Sequence, residues 1–511
     1  MKTVTWSSLA GLAVVLGVVG CQSLPSVGPD YKEPELDLPE SPLNDPGFPS
    51  TNVTETGEWL PVPEEDDTRS PITENSLKEW WARFNDPVLT GLIECAVTNN
   101  QTFLQAQQRL IASRWEFAAT YSAFLPSVDL NGNATRGHNH RYTASQYQSY
   151  LMRGDKKSTS DLFHGGFDAS WEIDLFGGSR RETESAYATA EAAGWSVADA
   201  WVSLTAEVAA RYISLRTIQQ RIEVARTNLV LQTETYEILK SRLESGIGDE
   251  LAVNQSKYIV DQTRASIPPL LAKEETLMNQ LAILTGDMPG ARHAELAVCP
   301  KRDWLIEPQK LDKVPADLVR TRPDIRVAER QLAANVARIG VAKSQWFPRF
   351  FINGSLGLES MKAQKFFGKG DFYASLGPSI SWPIFRGGAI YADVKRAEAE
   401  VEAAFLAYES KIQQAWSEVR DTYSSYTQDY HRFESLKGAV QAAQDAVAIS
   451  KNLYRSGLRD FTAVIDAQRS LLSLQDELVN SHGVIAQDLI SLYKALGGGL
   501  TLEGDEAAEE Q

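Results

Sequence analysis

The 511-residue sequence has no run of 18 or more apolar residues, which excludes a membrane-spanning helix. It also has no excess of basic residues. The formal charge is −17, and without a basic patch to displace counterions a nucleic-acid backbone is excluded as a partner. Cysteine is scarce: besides Cys21 there are only Cys95 and Cys299. One pair so far apart is a poor disulfide framework, so a single bridge and two buried free thiols both stay open. No Ser/His/Asp grouping, zinc-ligand spacing or glycine-rich phosphate loop stands in a supporting context. The chain is therefore read as not an enzyme, with no catalytic residue, no metal ligand and no cofactor. His138 and His140 fall between the first two expected strands, where a solvated loop accounts for them.

Lys2 is followed by a short apolar core, Leu9 to Val19, and then by Gly20-Cys21. Such a core is too short to span a bilayer and suits a secretory signal over residues 1–20. The small residue before Cys21 resembles a lipoprotein signal, in which Cys21 is lipidated and becomes the mature N-terminus. Gln22, rather than Asp, after the cysteine favours the outer membrane. Between Pro25 and Pro71 lie ten of the chain's 22 prolines, mixed with acidic residues. That composition describes an extended arm, either a linker or a strap over other structure.

Past the arm the chain repeats. Phe124-Leu-Pro126 matches Phe347-Pro348, Asn131-Gly132 matches Asn353-Gly354, and Arg109-Leu110 faces Gln331-Leu332, all near an offset of 222. Further on the offset is about 211. Trp171…Gly177-Gly178 aligns with Trp382…Gly387-Gly388, Ser245-Gly246…Asp249 with Ser456-Gly457…Asp460, Val253 with Val464, and Gly286 with Gly497. A register held over so many landmarks marks a duplication. The offset changes between the two β segments of each half, where a loop can absorb it.

Each half carries two segments of alternating polarity, 127–135 and 167–175, then 350–358 and 372–382. In a strand, alternation puts apolar side chains on one face and polar ones on the other. The lengths suit membrane-spanning strands, and Trp171, Phe372 and Trp382 sit at their ends as interfacial aromatics do. A half-buried soluble sheet alternates in the same way. Four strands cannot close a membrane barrel, because a bilayer does not tolerate open edges. If these strands span a membrane, several chains share one barrel. Three chains give twelve strands, with Asp129, Asn131, Asp168, Asp174 and Ser379 facing water and the apolar face meeting lipid.

Between Gly178 and Pro268 there is no proline. From Ser179 to Ser245 apolar residues recur at helical spacing, interrupted at Gly194, and the second half repeats the pattern after Gly388. A helix of that length reaches on the order of 100 Å. Shorter return helices follow, 249–285 with a kink expected at Pro268-Pro269, and 458–496. The helical segments Asn100–Leu125 and Asp324–Phe347 make up the difference, which suggests two short helices stacked end to end beside each long one. At the turns, Gly246 and Gly457 suit φ > 0 after a helix end, and Asp249 and Asp460 suit N-caps of the return helices.

Val27-Gly-Pro-Asp-Tyr-Lys-Glu-Pro34, Trp80-Trp81-Ala-Arg-Phe84-Asn-Asp86-Pro87, Arg322-Pro-Asp-Ile-Arg326…Glu329-Arg-Gln-Leu332, Asp466-Ala-Gln-Arg-Ser-Leu471 and Leu492-Tyr-Lys-Ala-Leu-Gly497 together resemble the TolC-like outer-membrane efflux proteins, in their lipoprotein, NodT-type branch. The resemblance runs from Cys21 to about Gly499. It implies an α+β membrane protein: a homotrimeric 12-stranded β-barrel, four strands per chain, continued by a long periplasmic α-helical barrel. In that layout 21–86 is the lipidated arm and equatorial segment, 87–286 and 321–497 are the repeats, 287–320 is an equatorial linker and 498–511 an acidic tail. The family partners are a periplasmic adaptor (membrane fusion protein), an inner-membrane pump, here of the RND type, and outer-membrane lipid. The implied function is a passive duct of a tripartite efflux system, exporting drugs or other toxic small molecules, since specificity lies in the pump. The helix tips, Gly246, Gly248, Asp249, Gly457, Leu458 and Asp460, would meet the adaptor. Asp466 resembles the carboxylate that rings the periplasmic gate, with Gln255 at the equivalent register. Three such carboxylates near a threefold axis would repel one another and attract cations. A periplasmic coiled-coil scaffold or adaptor, and the outer-membrane duct of a type I secretion system, are the alternative readings.

Overall fold

The computed structural model describes residues 26–34, 79–138, 159–299, 320–367 and 372–498. The signal segment, Cys21, most of the proline arm, the His140 side of the first loop, most of the 287–320 linker and the acidic tail lie outside the described residues. Along the chain come α1 (Pro87–Asn99), α2 (Gln101–Tyr121), β1 (Ser127–His138), β2 (Thr159–Ile173), α3 (Gly178–Glu244), α4 (Glu250–Leu284), α5 (Pro323–Ser344), β3 (Arg349–Ser360), β4 (Phe372–Ser381), α6 (Ala389–Arg455) and α7 (Phe461–Ala495). The two long helices are each 67 residues and the two return helices each 35.

Helix α3 runs unbroken through Gly194, correcting the interruption read there. The residue is buried within the helix, and one glycine costs only about 1 kcal/mol in a helix interior. Helix α4 likewise continues through Pro268 and Pro269. Helix α7 begins at Phe461, three residues later than the expected 458. Leu458 is spent closing the preceding turn, where its N–H reaches back to the Leu453 carbonyl, and Asp460 is extended.

The chain folds into two compact units. The first draws on Met1–Pro34, Ile111–Glu191 and Glu329–Leu406, the second on Glu35–Leu110, Ala192–Ala328 and Ala407–Gln511. The first unit holds a four-stranded antiparallel sheet in the order β1-β2-β3-β4. Ser127 pairs with Ser170 in the first hairpin and Arg349 with Ser381 in the second. Those pairs are related by the offsets 222 and 211, so both hairpins have the same register. The N-terminal strap docks here too. The Val27 N–H donates to the Phe176 carbonyl, Asp30 accepts from Arg181 at 2.5 Å, and Gly28 passes so close to Gly340 that a Cβ would sit 2.5 Å from its Cα.

The second unit holds the main apolar core. Trp80, Trp81 and Phe84, on a 3₁₀ turn, are buried in it. Trp80 stacks on Tyr493 at 5.4 Å, and Arg83 donates to the Tyr493 hydroxyl at 2.6 Å. Asp86 caps α1 by accepting from the Val88 N–H at 2.9 Å, with Pro87 in the first helical turn, where no N–H is needed. Its other oxygen accepts from Tyr212 at 2.5 Å. Leu89, Leu92, Ile93 and Ala96 of α1 then pack on α3, α4 and α7.

The end-to-end joints are visible in this unit. Asn100 donates its side-chain N–H to the carbonyl of Leu284, the last residue of α4, at 3.0 Å. At the repeat-related place Arg322 donates to the carbonyl of Ala495, the last residue of α7, at 2.8 Å. A helix C-terminus leaves carbonyls without intrahelical partners. In both repeats a side chain at the start of the next short helix supplies one donor.

Candidate functional site: the two-faced sheet and the helix turns

The sheet is two-faced over its whole width. One face carries Val128, Leu130 and Ala134 of β1; Phe163, Phe167, Ala169, Trp171 and Ile173 of β2; Phe350, Ile352, Leu356 and Leu358 of β3; and Phe372, Ala374, Leu376 and Ile380 of β4. No charge interrupts this band. Its loop end is marked by Arg136 and Asp161, paired across β1 and β2 at 2.6 Å. Val128, Leu130, Phe167, Leu356, Leu376 and Ile380 are all exposed. An apolar patch of this extent, left open on one face, marks a lipid or protein contact.

The opposite face is polar and cross-linked. Asn131 donates to Asp168 at 2.8 Å, Ser170 to Asn353 at 3.0 Å, Asn353 to Ser379 at 2.8 Å, and Ser355 lies 2.6 Å from Ser375. Near the helical end Arg349 donates to Glu172 at 2.8 Å. Tyr373 reaches His164 at 3.2 Å. Asp174 is not on this face, contrary to its expected place among the water-facing residues. Strand β2 ends at Ile173; Asp174 is buried and accepts from the Arg180 N–H at 2.9 Å. The first turn of α3 needs acceptors for its free N–H groups, and that need takes the carboxylate out of the row. Trp171 and Trp382 close the apolar band at its helical end. Each donates its indole N–H to the last turn before a strand, to the Phe124 carbonyl at 2.9 Å and the Trp346 carbonyl at 3.1 Å.

The second unit carries the helix turns. Gly246 has φ 76° and Gly457 has φ 70°. The Gly246 N–H bonds the Leu243 carbonyl and the Ile247 N–H the Arg242 carbonyl; Gly457 and Leu458 repeat this with Tyr454 and Leu453. These are paired C-terminal caps of the kind that need a left-handed residue. Gly248 is fixed by crowding, since a Cβ there would lie 2.4 Å from the Leu243 nitrogen. Asp249 caps α4 by accepting from the Leu251 N–H at 3.0 Å. Asp460 stands at the N-cap of α7 but makes no side-chain capping bond, so the two turns are alike in backbone and unlike in this carboxylate. Ile247 and Leu458, repeat mates, are each 71% exposed. Ile247 was not singled out from the sequence, because an apolar residue in a turn has no pattern that reveals its exposure.

Asp466 lies exposed on α7 and Gln255 half-buried on α4. Both helices enter the small core below the turns, with Ala252, Val253 and Ile259 of α4 against Phe461, Val464 and Ile465 of α7. A second acidic feature was not legible in the sequence. Burial, and Asp429 beside it, push the Asp488 carboxyl up to about 7, and one Asp488 oxygen is buried without a hydrogen-bond partner. Cys95 and Cys299 are free thiols, so no bridge joins them, but Cys95 is half-buried and Cys299 exposed, which corrects the expectation of two buried thiols. Cys95 accepts from Arg292 at 2.8 Å. His138 ends β1. Among the described residues no group of three or more His, Cys, Asp or Glu is placed to hold a metal ion.

A family profile described as outer membrane efflux protein matches residues 92–287 and 314–498. The chain is 29% identical over 474 residues to "Nodulation protein T" of Rhizobium leguminosarum bv. trifolii, covering 93% of this chain and 94% of that protein. It is 30% identical over 430 residues to the "Solvent efflux pump outer membrane protein SrpC" of Pseudomonas putida, covering 81% and 86%. Among solved structures it superposes on the outer-membrane channel OprN with a TM-score of 0.79 at 31% identity, covering 92% of this chain and 99% of that one. The Campylobacter jejuni CmeC channel gives 0.80 at 20% identity, covering 95% and 98%, and so supports the fold alone. With the profile spanning both repeats and the sheet and helix hairpins matching a solved relative end to end, the chain belongs to the outer membrane efflux protein family.

Proposed function

We propose that three copies of the chain form one duct: twelve strands closed into a barrel in the outer membrane, with the paired helices continuing it into the periplasm. The observation that carries this reading is the uncharged apolar face, exposed across all four strands, on a sheet whose β1 and β4 edges have no further partner among the described residues. A bilayer accepts the face but not the edges, and closure between copies resolves both demands. The polar ladder from Asn131 to Ser379 then faces a water-filled lumen.

The duct is passive and works in a tripartite system. The turns at Gly246–Asp249 and Gly457–Asp460 meet a periplasmic adaptor, which joins an inner-membrane pump of the RND type. Ile247 and Leu458 are the apolar anchors of that contact. Asp466 and Gln255 form the periplasmic gate, three carboxylates and three amides around the axis. Cys21 carries the lipid anchor, with 1–20 as the signal peptide, and 287–320 forms part of an equatorial belt. Relatives are named for toluene and solvent efflux, and small toxic organic molecules are the cargo class proposed here.

The test is fractionation and conductance of the full-length protein. Heat-modifiable trimers in the outer-membrane fraction, conducting in planar bilayers, are expected. A water-soluble monomer without conductance overturns the duct and returns the chain to a periplasmic scaffold.

A further inference from the structure

On the polar face of the sheet His164 of β2 stands opposite Glu359 of β3. Its Nε2 is 3.2 Å from the Tyr373 hydroxyl of β4, and its Nδ1 is 4.0 Å from a Glu359 oxygen. We propose that this trio is a proton-sensitive selectivity level near the loop end of the strands. Protonation of His164 cancels the Glu359 charge and weakens the attraction of the duct for cations. The proposal rests on the duct reading above and assigns one of its selectivity-determining residues.

Two glycines make the trio possible. Gly166 of β2 pairs with Gly357 of β3, and Gly357 with Tyr373 of β4. A Cβ at Gly166 would lie 2.9 Å from the Tyr373 hydroxyl oxygen, and one at Gly357 2.8 Å from it. The phenol therefore lies across two strands, over bare backbone, and its hydroxyl arrives at His164, the next residue of β2 on that face. The two rings are 5.3 Å apart and tilted by 31°. Glycine inside a strand weakens it and often marks a close approach. Here the group that approaches is Tyr373.

The surroundings serve both charge states of the ring. A phenol hydroxyl donates as well as accepts. With the ring neutral, Tyr373 can donate to Nε2 while the proton on Nδ1 points toward Glu359. With the ring charged, Nε2 donates to Tyr373 and Nδ1 presents its N–H to the carboxylate. Neither state strands a polar group. Imidazole is the side chain that ordinarily changes charge between pH 5 and 8. Across that interval the pair His164–Glu359 passes from a net negative charge to none.

Nothing else on that part of the face supplies positive charge. On β1 the partner of His164 is the neutral Asn133. On β4 the facing group is Tyr373 and on β3 Glu359. Along β2 itself Asp168 follows four residues later, tied to Asn131 at 2.8 Å. The guanidinium of Arg349 is paired with Glu172 at the helical end, and Arg136 is paired with Asp161 on the other face. Toward the loop end the polar positions of the described strands hold no lysine or arginine. Carboxylates lining a pore attract cations, so His164 alone can offset them there. The trio occurs once per copy, because the repeat mate of His164 is Ser375 and that of Glu359 is Gly137. A duct of three copies then carries one ring of imidazoles.

The experiment reads reversal potentials in a potassium chloride gradient across planar bilayers holding the full-length protein, at pH 8 and at pH 5. For the unsubstituted chain the ratio of cation to anion permeability should fall about twofold as the pH drops, the scale of one unit charge per copy in a wet lumen. His164→Gln should keep the ratio at pH 8 and lose most of the fall. Glu359→Gln should start from a lower ratio at pH 8. His164 is half-buried and Glu359 exposed, and both changes keep a polar side chain, so the fold should tolerate them. The Asp488 carboxyl, pushed up to about 7, titrates in the same interval. The readout is therefore the contrast between the unsubstituted and His164→Gln chains, not the slope of either. Conducting His164→Gln channels with an undiminished fall, or unsubstituted channels with none, overturn the switch and leave the duct in place. A Glu359→Gln ratio at pH 8 equal to that of the unsubstituted chain overturns it as well. A protein that conducts in no form overturns the duct and the switch together.

Discussion

Arg322 donates to the main-chain carbonyl of Ala495 at 2.8 Å, closing the joint between the end of α7 and the start of α5. The same guanidinium holds Glu418 at 2.7 Å and Asp324 at 3.0 Å, and Arg322 is buried. In the other repeat Asn100 performs the joint with Leu284 and also caps α2, accepting from the Phe103 N–H at 3.0 Å. Removing a buried charge that is bonded to partners costs about 3–5 kcal/mol. Losing a neutral hydrogen bond together with a cap costs about 2 kcal/mol. Arg322→Ala should therefore lower the denaturation midpoint of detergent-solubilised protein more than Asn100→Ala, read by circular dichroism. Equal losses would mean that the joint, rather than the charge cluster, sets the cost.

Asp488 gives the protein a pH dependence of definite sign. Its folded carboxyl is pushed up to about 7 by burial and by Asp429, above the ordinary carboxylate value near 4. Between those values the folded state binds more protons than the unfolded one, so stability falls as pH rises from about 4 to about 7. Asp488→Asn should flatten that slope and raise stability above pH 7 relative to the unsubstituted protein. Thermal midpoints measured across pH 4–8 check this; an unchanged slope would remove Asp488 as its source.

Gly483 of α7 meets Thr217 of α3 so closely that a Cβ would lie 2.1 Å from the Thr217 hydroxyl oxygen. Gly483→Ala should cost about 1–3 kcal/mol by overpacking. Thr217→Ala, introduced with it, removes the two nearest atoms and should recover part of the loss. Non-additivity in a double-mutant cycle of thermal stability is the measurement.

Asp466→Ala should raise single-channel conductance in planar bilayers and weaken cation preference, because it takes one negative charge per copy from the proposed gate. Asp466 is exposed, so the fold should tolerate the change. Unchanged conductance and selectivity would remove Asp466 from the gate.

Ile247→Asp with Leu458→Asp should abolish efflux in cells while leaving the heat stability of the proposed trimer and its bilayer conductance as they were. Both side chains project from their turns into solvent, so the change acts on a docking surface. Retained efflux would exclude these turns as the adaptor contact.

The faces of the strands were legible because alternation needs no knowledge of the partner strand. The long helices were legible because proline is absent from both and glycine marks each end. Asp174 was misplaced for a physical reason. It continues the polar parity of β2, yet the unfilled N–H groups at the start of α3 compete for it. Asn100 and Arg322 share one task with different side chains, so no comparison of residue types at that offset reveals it. The Asp429–Asp488 pair was hidden because its members come from α6 and α7 and only packing brings them together.

The sequence by itself determined the duplication, the strand faces, the extent of the two long helices and the glycine turns, since each depends on the local period or on the φ a residue can adopt. Tertiary structure alone decided which carboxylate became a cap, which turn residue stood in solvent and which strand margins stayed open. Those outcomes depend on which side chains compete for the same free N–H groups and on which surfaces a neighbour covers, and neither is encoded in any one stretch of chain.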